Sequence, residues 1–220
     1  MPKKVKILLG PNKLLRKECW LNDCHPKCKC KAFTKSGKKC RIKNFRDKDY
    51  CHIHLKKKFD VAIGKSNIYI NGHSIGLGLF ARSHRPVKDM DKIKKKSTKE
   101  NRDKYLVFKN KDIIGKYEGE ILTKKELDKR YDYKIKKGKK FEKVETTAPY
   151  TIERDDGKFI DGACKRNFIA YANDPHGTKL KTNAKLLNDT LVATRNIWQG
   201  DEILWSYGKS YWSGEHAIIA

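Results

Sequence analysis

The chain has 220 residues, 52 Lys+Arg against 26 Asp+Glu for a formal net charge of +26, and 38% hydrophobic residues, which allows one medium core plus a small module that needs outside support. No apolar run approaches the roughly 18 residues of a membrane span and Ile7-Leu8-Leu9 is too short for a signal core, so a soluble, intracellular protein without a membrane partner is expected. A charge surplus of this size repels itself unless an anion is near: nucleic acid or a nucleosome is one reading, solvated lysine loops such as Lys94-Lys95-Lys96 the other.

The basic excess is densest at the N-terminus, where residues 1–60 hold 19 Lys+Arg and 5 Asp+Glu. Pro2-Lys3-Lys4-Val5-Lys6 could serve nuclear import, although so lysine-rich a chain produces such matches by chance. Six of the seven cysteines, Cys19, Cys24, Cys28, Cys30, Cys40 and Cys51, fall in the first quarter, and this asymmetry marks a separate module. An odd total with no secretion signal favours thiolate metal ligation over disulfides, with zinc as the default metal. The most regular set is Cys30, Cys40, Cys51 and His54. Three thiolates and an imidazole close a tetrahedron around zinc, leaving no open position for catalysis, so the site is expected to be a structural staple. Gly37 supplies the turn back to Cys40, and the Cys51/His54 spacing puts both ligands on one face of a helical turn. The stretch resembles small treble-clef-like knuckles seen in viral and phage-type proteins. Cys19, Cys24, Cys28 and His25 could form a second site or exchange with Cys30, and Cys164 reads as a buried small hydrophobe.

The composition changes near residues 55–60, which places a boundary between a module at 1–58 and a second domain at 59–220. From Val61 onward short apolar runs alternate with turns, as in a mainly β domain. Asn67–Gly72 reads as a strand entering a turn, Ile113–Leu122 as another strand, and Tyr150–Arg154 with Lys158–Asp161 as a hairpin around Asp156-Gly157. Leu191–Thr194 and Glu202–Trp205 read as two more strands. Thr123 and Glu126 have capping-box spacing, so a helix is expected from Thr123 to about Tyr131. The lysine-rich stretches 84–104 and 134–147 carry little apolar pattern and read as surface insertions.

Four segments in order, spanning 67–212, resemble the SET domain of protein lysine methyltransferases. Gly76-Leu77-Gly78 is similar to the glycine motif where that family's backbone approaches S-adenosylmethionine. Tyr117-Glu118-Gly119-Glu120 matches its YxGE strand, followed by an acidic, arginine-ended helix. Tyr150, Asp161, Asn167, Asn173 and Asp174 fall on a segment where that family has a cofactor-contacting tyrosine, an aspartate, a Gly-Asn pair and an Arg-aromatic-x-Asn-His run, with Asn173 at the cofactor-binding asparagine. Ala193–Ile197, Gly200-Asp201-Glu202, Tyr207-Gly208 and Tyr211-Trp212 resemble the closing strand and catalytic tyrosine. Arg166, Ala170 and Asp174 stand where the family has Gly, Arg and His.

The resemblance implies a β-clip fold of short strands in which the C-terminal segment passes beneath a loop. It implies methyl transfer from S-adenosylmethionine to lysine on a histone tail or another basic protein. Tyr207 and Tyr117 would be the catalytic pair. Gly76, Leu77, Gly78, Tyr150, Asn173, Asp174 and Trp212 would bind the cofactor, Trp212 either closing the adenine pocket or plugging the core. Trp205 stands at the position that limits product size and leaves the methylation state open. In-line displacement needs an aligned neutral amine and no side-chain nucleophile, in keeping with a site rich in tyrosines. The alternative is a degenerate SET fold that binds nucleic acid or chromatin beside a basic knuckle. Either reading allows a nuclear location.

Overall fold

In the computed structural model the described residues are 29–43, 47–70, 72–96, 98–137, 140–145, 150–163, 166–208 and 211–212. Cys19, Cys24, His25, Cys28, Cys164 and the import-like Pro2–Lys6 lie outside them. Apolar runs of three to five residues between glycines and lysine-rich loops cannot extend one long sheet, and the chain builds several small ones. Strand β1 (Val61–Lys65) pairs antiparallel with β4 (Leu77–Ala81), and between them lies the two-residue ribbon of β2 (Tyr69–Ile70) and β3 (His73–Ser74). Strand β5 (Leu106–Phe108) pairs with β14 (Ile197–Trp198). Strand β6 (Ile113–Lys116) joins β12 (Ala184–Leu187) and β13 (Thr190–Ala193), while β7 (Glu120–Leu122) joins β10 (Thr151–Glu153) and β11 (Phe159–Asp161). One apolar core underlies these sheets, with Leu79, Ile160, Ile169, Leu191, Ile197 and Ile203 among its buried members. The fold is mainly β with few helices, as the short alternating runs led us to expect.

Several elements differ from the sequence reading. Ile113–Leu122 is two strands in different sheets, because the chain turns at Tyr117–Gly119. A Cβ at Gly119 would lie 2.4 Å from the Asp161 carbonyl oxygen, so only glycine allows this approach. The 84–104 stretch, expected as a surface insertion with little apolar pattern, is partly helical. It holds helices Met90–Lys96 and Lys99–Tyr105, the second capped where the Thr98 hydroxyl accepts from Asn101 N at 3.4 Å. Lysine and glutamate favour helix intrinsically, and helices that bury little show no apolar stripe to betray them. The 134–147 stretch is largely a hairpin of Asp132–Lys137 with Lys140–Glu145, whose apolar residues Tyr133, Ile135, Phe141 and Val144 are too few among the lysines to announce two strands.

The helix expected after Thr123 runs Lys124–Tyr131. Its capping box is formed: Thr123 N donates to Glu126 Oε2 at 2.8 Å and Glu126 N donates to Thr123 Oγ1 at 3.3 Å.

Glu202–Trp205 is not a strand but a threaded segment with isolated bridges, Phe80 to Glu202 and Asn173 to Leu204. Ile203 N donates to Leu79 O (2.7 Å) on one side. Leu204 N donates to Asn183 Oδ1 (2.8 Å), and Trp205 N to Asn173 O (3.0 Å), on the other. The extended segment therefore satisfies its backbone polar groups from two loops and a strand, which a sheet-only reading does not anticipate.

The Cys/His stretch packs against this core. Helix His52–Phe59 buries Leu55, and Phe59 rests on Phe168 with ring centroids 4.7 Å apart. The buried Asp47 carboxylate accepts from Asp49 N and Tyr50 N through Oδ1 and from Phe168 N (2.9 Å) through Oδ2, joining chain positions 121 residues apart. Burial pushes its carboxyl above the usual range despite these three donors.

Candidate active site and metal centre

The threaded segment delivers Tyr207 to the edge of a cavity of about 420 Å³ whose walls include Tyr117, Leu127, Phe159, Trp205 and Tyr211. The Tyr207 hydroxyl donates to Ala172 O at 3.0 Å, and the Trp205 indole Nε1 donates to the same oxygen at 2.8 Å. Across the cavity the Tyr117 hydroxyl donates to Tyr150 O at 2.8 Å. Tyr211 packs edge-on against the Tyr207 ring, with centroids 4.9 Å apart. Burial holds the Tyr207 hydroxyl well above its ordinary pKa of 10.0, and the neighbouring Tyr117, Tyr211, Asp174 and Tyr150 push the same way. Tyr207 thus remains a neutral donor beside a largely apolar space.

The YxGE strand and the helix after it are tied together behind Tyr117. Arg130, near the helix end, donates through Nη1 to Glu120 Oε2 at 2.8 Å and to Asp161 Oδ2 at 2.7 Å, and Asp161 is fully buried. Asn167 Nδ2 donates to Lys116 O at 2.6 Å, fixing the residue before Tyr117.

Asp174, where the resembled family has histidine, is a hub. Its Oδ2 accepts from Tyr207 N (2.7 Å) and Trp212 Nε1 (2.8 Å), and its Oδ1 from His176 N (2.8 Å). The Trp212 indole stacks on His176 with centroids 4.5 Å apart and planes within 12°. One carboxylate therefore sets both the position of Tyr207 and the orientation of Trp212. Asp174→Ala would leave three donors without this acceptor, and we expect a loss of about 3 kcal/mol of stability, measured by denaturant unfolding. A loss below about 1 kcal/mol would mean that water replaces the carboxylate at little cost.

Asn173 turns its side chain toward the glycine strand: Nδ2 donates to Leu77 O at 2.9 Å and to Glu202 Oε1 at 3.3 Å. The buried Glu202 carboxylate also accepts from Ser66 Oγ and Asn67 N, each at 2.7 Å. A Cβ at Gly78 would come within 2.2 Å of Glu202 Oε1, so this glycine is required by the carboxylate beneath it. Gly76, by contrast, sits at φ +106° with open space where a Cβ would point. The residues singled out from the sequence thus lie along one path: Gly76-Leu77-Gly78 beside Asn173, Asp174 beside Trp212 and Tyr207, and Tyr117 on Tyr150. Sequence reasoning did not find Ala172, which acts through its main-chain oxygen, nor Glu202 and Asp47, whose importance comes from burial.

A second cluster is separate from the cavity. The ligand atoms of Cys30, Cys40, Cys51 and His54 all lie within 4.8 Å of one another. Cys40 Sγ is 4.0 Å from Cys51 Sγ, and His54 Nδ1 is 3.2 Å from Cys51 Sγ and 3.4 Å from Cys30 Sγ. A tetrahedral zinc with Zn–S bonds of about 2.3 Å has edges of about 3.8 Å, so the donor set fits that ion. Gly37 adopts φ +75° at the turn between the first two cysteines, as expected, and Cys51 caps the helix that carries His54. Without metal, burial raises the Cys51 thiol to about 11.

No protein-family profile matches the chain, and no curated protein matches it. Solved structures share shape with it at low likeness, two of them Polycomb Repressive Complex 2 structures. A humanized mutant of the Chaetomium thermophilum Polycomb Repressive Complex 2 bound to the inhibitor GSK126 aligns over 67% of this chain and 15% of its own, at 17% identity and TM-score 0.39. A ctPRC2 structure in complex with H3K27me3 and H3K27M aligns over 80% and 17%, at 15% identity and TM-score 0.44. The chain spans less than a fifth of the length of these solved chains.

Proposed function

We propose that this chain is an S-adenosylmethionine-dependent protein-lysine N-methyltransferase of the SET type, acting on histone tails or another basic chromatin protein. In this reading residues 59–220 form the methyltransferase domain and residues 1–58 a zinc-stapled basic module, with a nuclear site of action. The observation that carries it is the pair of tyrosine hydroxyls, Tyr207 on Ala172 O and Tyr117 on Tyr150 O, facing one apolar cavity at the end of the threaded segment.

The fit of the cofactor rests on the backbone at Gly76, open on its Cβ side, on Asn173 beside it, and on the Trp212 face held by Asp174. Gly76, Leu77, Gly78, Tyr150, Asn173, Asp174 and Trp212 are the residues that would hold it. When bound, S-adenosylmethionine supplies a methyl group on a sulfonium centre. The chain's own task is to hold a lysine amine neutral and in line. The walls from Leu127, Phe159 and Trp205 exclude water and disfavour the ammonium form. Tyr207 remains protonated, and its hydroxyl together with that of Tyr117 orients the amine. Main-chain oxygens such as that of Ala172 offer weak C–H contacts.

Transfer of label from methyl-labelled cofactor to histones and to proteins of a cell extract tests this directly. Cofactor binding by calorimetry with no labelled protein in either pool would sink the methyltransferase reading. Because the hydroxyl of Tyr207 stays protonated well past pH 10.0, the rate on a peptide should climb from about pH 7 to pH 9 as the lysine amine, ordinarily near 10.4, loses its proton. A falling limb in that window that vanishes in Tyr207→Phe would show that Tyr207 ionises there and works differently.

A further inference from the structure

Where the Cys/His stretch meets the β1–β4 pair lies a groove of about 550 Å³ that shares no lining residue with the tyrosine cavity. Its floor is apolar, from Leu55, Ala62 and Ile63, and its rim carries Lys43, Lys56, Arg82, His52 and His84. Among the described residues no carboxylate lines it. Asp60 is engaged alongside, accepting from Arg82 Nε at 2.9 Å, and Arg82 also donates to Lys104 O at 3.1 Å. Asp60 and Arg82 both adopt left-handed backbone, φ 53° and 56°, conformations unfavourable for a residue with a Cβ. That pair presents the guanidinium in a fixed place. Lys43 and Lys56 are exposed, and among the described residues neither is paired with a carboxylate.

The occupant follows from charge and from Tyr50, which alone among the lining residues carries a Phe, Tyr or Trp ring. A rim whose Lys43 and Lys56 have no carboxylate partner among the described residues, in a chain of net charge +26, calls for a polyanion. Tyr50 is not free to stack on a base: Lys58 Nζ sits 4.5 Å over its ring and bonds its hydroxyl at 2.6 Å, and Phe59 packs against it at 5.5 Å. Single strands are gripped on exposed aromatic platforms, and the lining offers only the His52 and His84 imidazoles with no free Phe, Tyr or Trp face, whereas a duplex offers its phosphates with its bases turned inward.

We propose that this groove docks the phosphate backbone of double-stranded DNA, with Lys43 and Lys56 as its principal phosphate contacts. This surface lies outside the candidate methyl-transfer site, and its test does not depend on that activity.

The test is fluorescence anisotropy of the full zinc-loaded chain with a labelled 20-base-pair DNA duplex across a salt series, beside a labelled poly-glutamate peptide. With two phosphate contacts removed, Lys43→Glu/Lys56→Glu should weaken duplex binding about sixtyfold at 0.1 M salt and lower the log–log salt slope by about 1.8. The control pair Lys109→Glu/Lys185→Glu, exposed and outside the groove, changes net charge equally and should have a much smaller effect. Lys43→Gln/Lys56→Gln, with zinc content and melting temperature matching the parent, should fall between the two. Equal losses in both Glu pairs would overturn the proposal in favour of diffuse charge. Groove-dependent binding of poly-glutamate without duplex binding would overturn it in favour of an acidic protein partner.

Discussion

Tyr207→Phe is expected to lower methyl transfer by at least about a hundredfold while leaving the fold in place. The hydroxyl makes one hydrogen bond, to Ala172 O, and the ring is held independently by Trp205 and Tyr211 at centroid distances of 4.9 Å and 4.9 Å. Phenylalanine preserves that packing, so the stability cost is that of one hydrogen bond, about 1 kcal/mol. What is lost is the neutral donor that orients the amine and the methyl group. The Ala172 oxygen keeps the Trp205 indole as a partner, so the variant leaves no orphaned acceptor to distort the loop. Initial rates with labelled cofactor, measured beside a thermal melt, separate the two effects. A variant with normal melting and a rate within a few-fold of the parent would remove Tyr207 from the chemistry. Loss of rate together with collapse of the melt would show that it serves the fold.

The second large effect concerns the Cys/His cluster. Cys40→Ser, or extraction of metal by a strong chelator, should release one zinc per chain and lower the melting temperature by about 10 °C or more, since structural zinc contributes folding free energy of several kcal/mol. The damage should not stay local. Asp47 Oδ2 holds Phe168 N, Lys48 N donates to Arg166 O at 3.2 Å, and Phe59 rests on Phe168, so the same stretch supports the loop leading to Ala172 and Asn173. Methyl transfer to a free peptide should therefore fall along with stability. Metal analysis settles the donor set: an unchanged zinc content in Cys40→Ser would exclude Cys40 as a ligand. Two zinc ions per parent chain would bring Cys19, Cys24 and Cys28 into a second site.

Local rules made part of this legible before any coordinates. The capping box at Thr123 and Glu126 is a contact within one helical turn, so its spacing alone announced it. The Asp156-Gly157 hairpin follows from turn chemistry, and the two strands flank it as expected. The Cys30, Cys40, Cys51 and His54 grouping was readable because ligand chemistry restricts which residues can converge. The misreadings have two origins. Helices Met90–Lys96 and Lys99–Tyr105 bury little, so apolar periodicity, the main signal, was absent. Ile113–Leu122 looked continuous because the feature that breaks it, the contact of Gly119 with the Asp161 backbone, lies 42 residues away in the chain.

By itself the sequence determined a mainly β chain, a cysteine and histidine set suited to one zinc, a strong positive charge, and the order of the motifs around Tyr117, Asn173 and Tyr207. Only the tertiary structure decided what those residues touch. Tyr207 is placed by the Asp174 carboxylate and the Ala172 carbonyl, 33 and 35 positions away, and Gly78 is glycine because Glu202 is buried beneath it. Such contacts join backbone atoms and buried carboxylates from distant segments. Neither periodicity nor spacing encodes them, because a main-chain oxygen looks the same in every residue and a carboxylate reveals its burial only once the chain has closed around it.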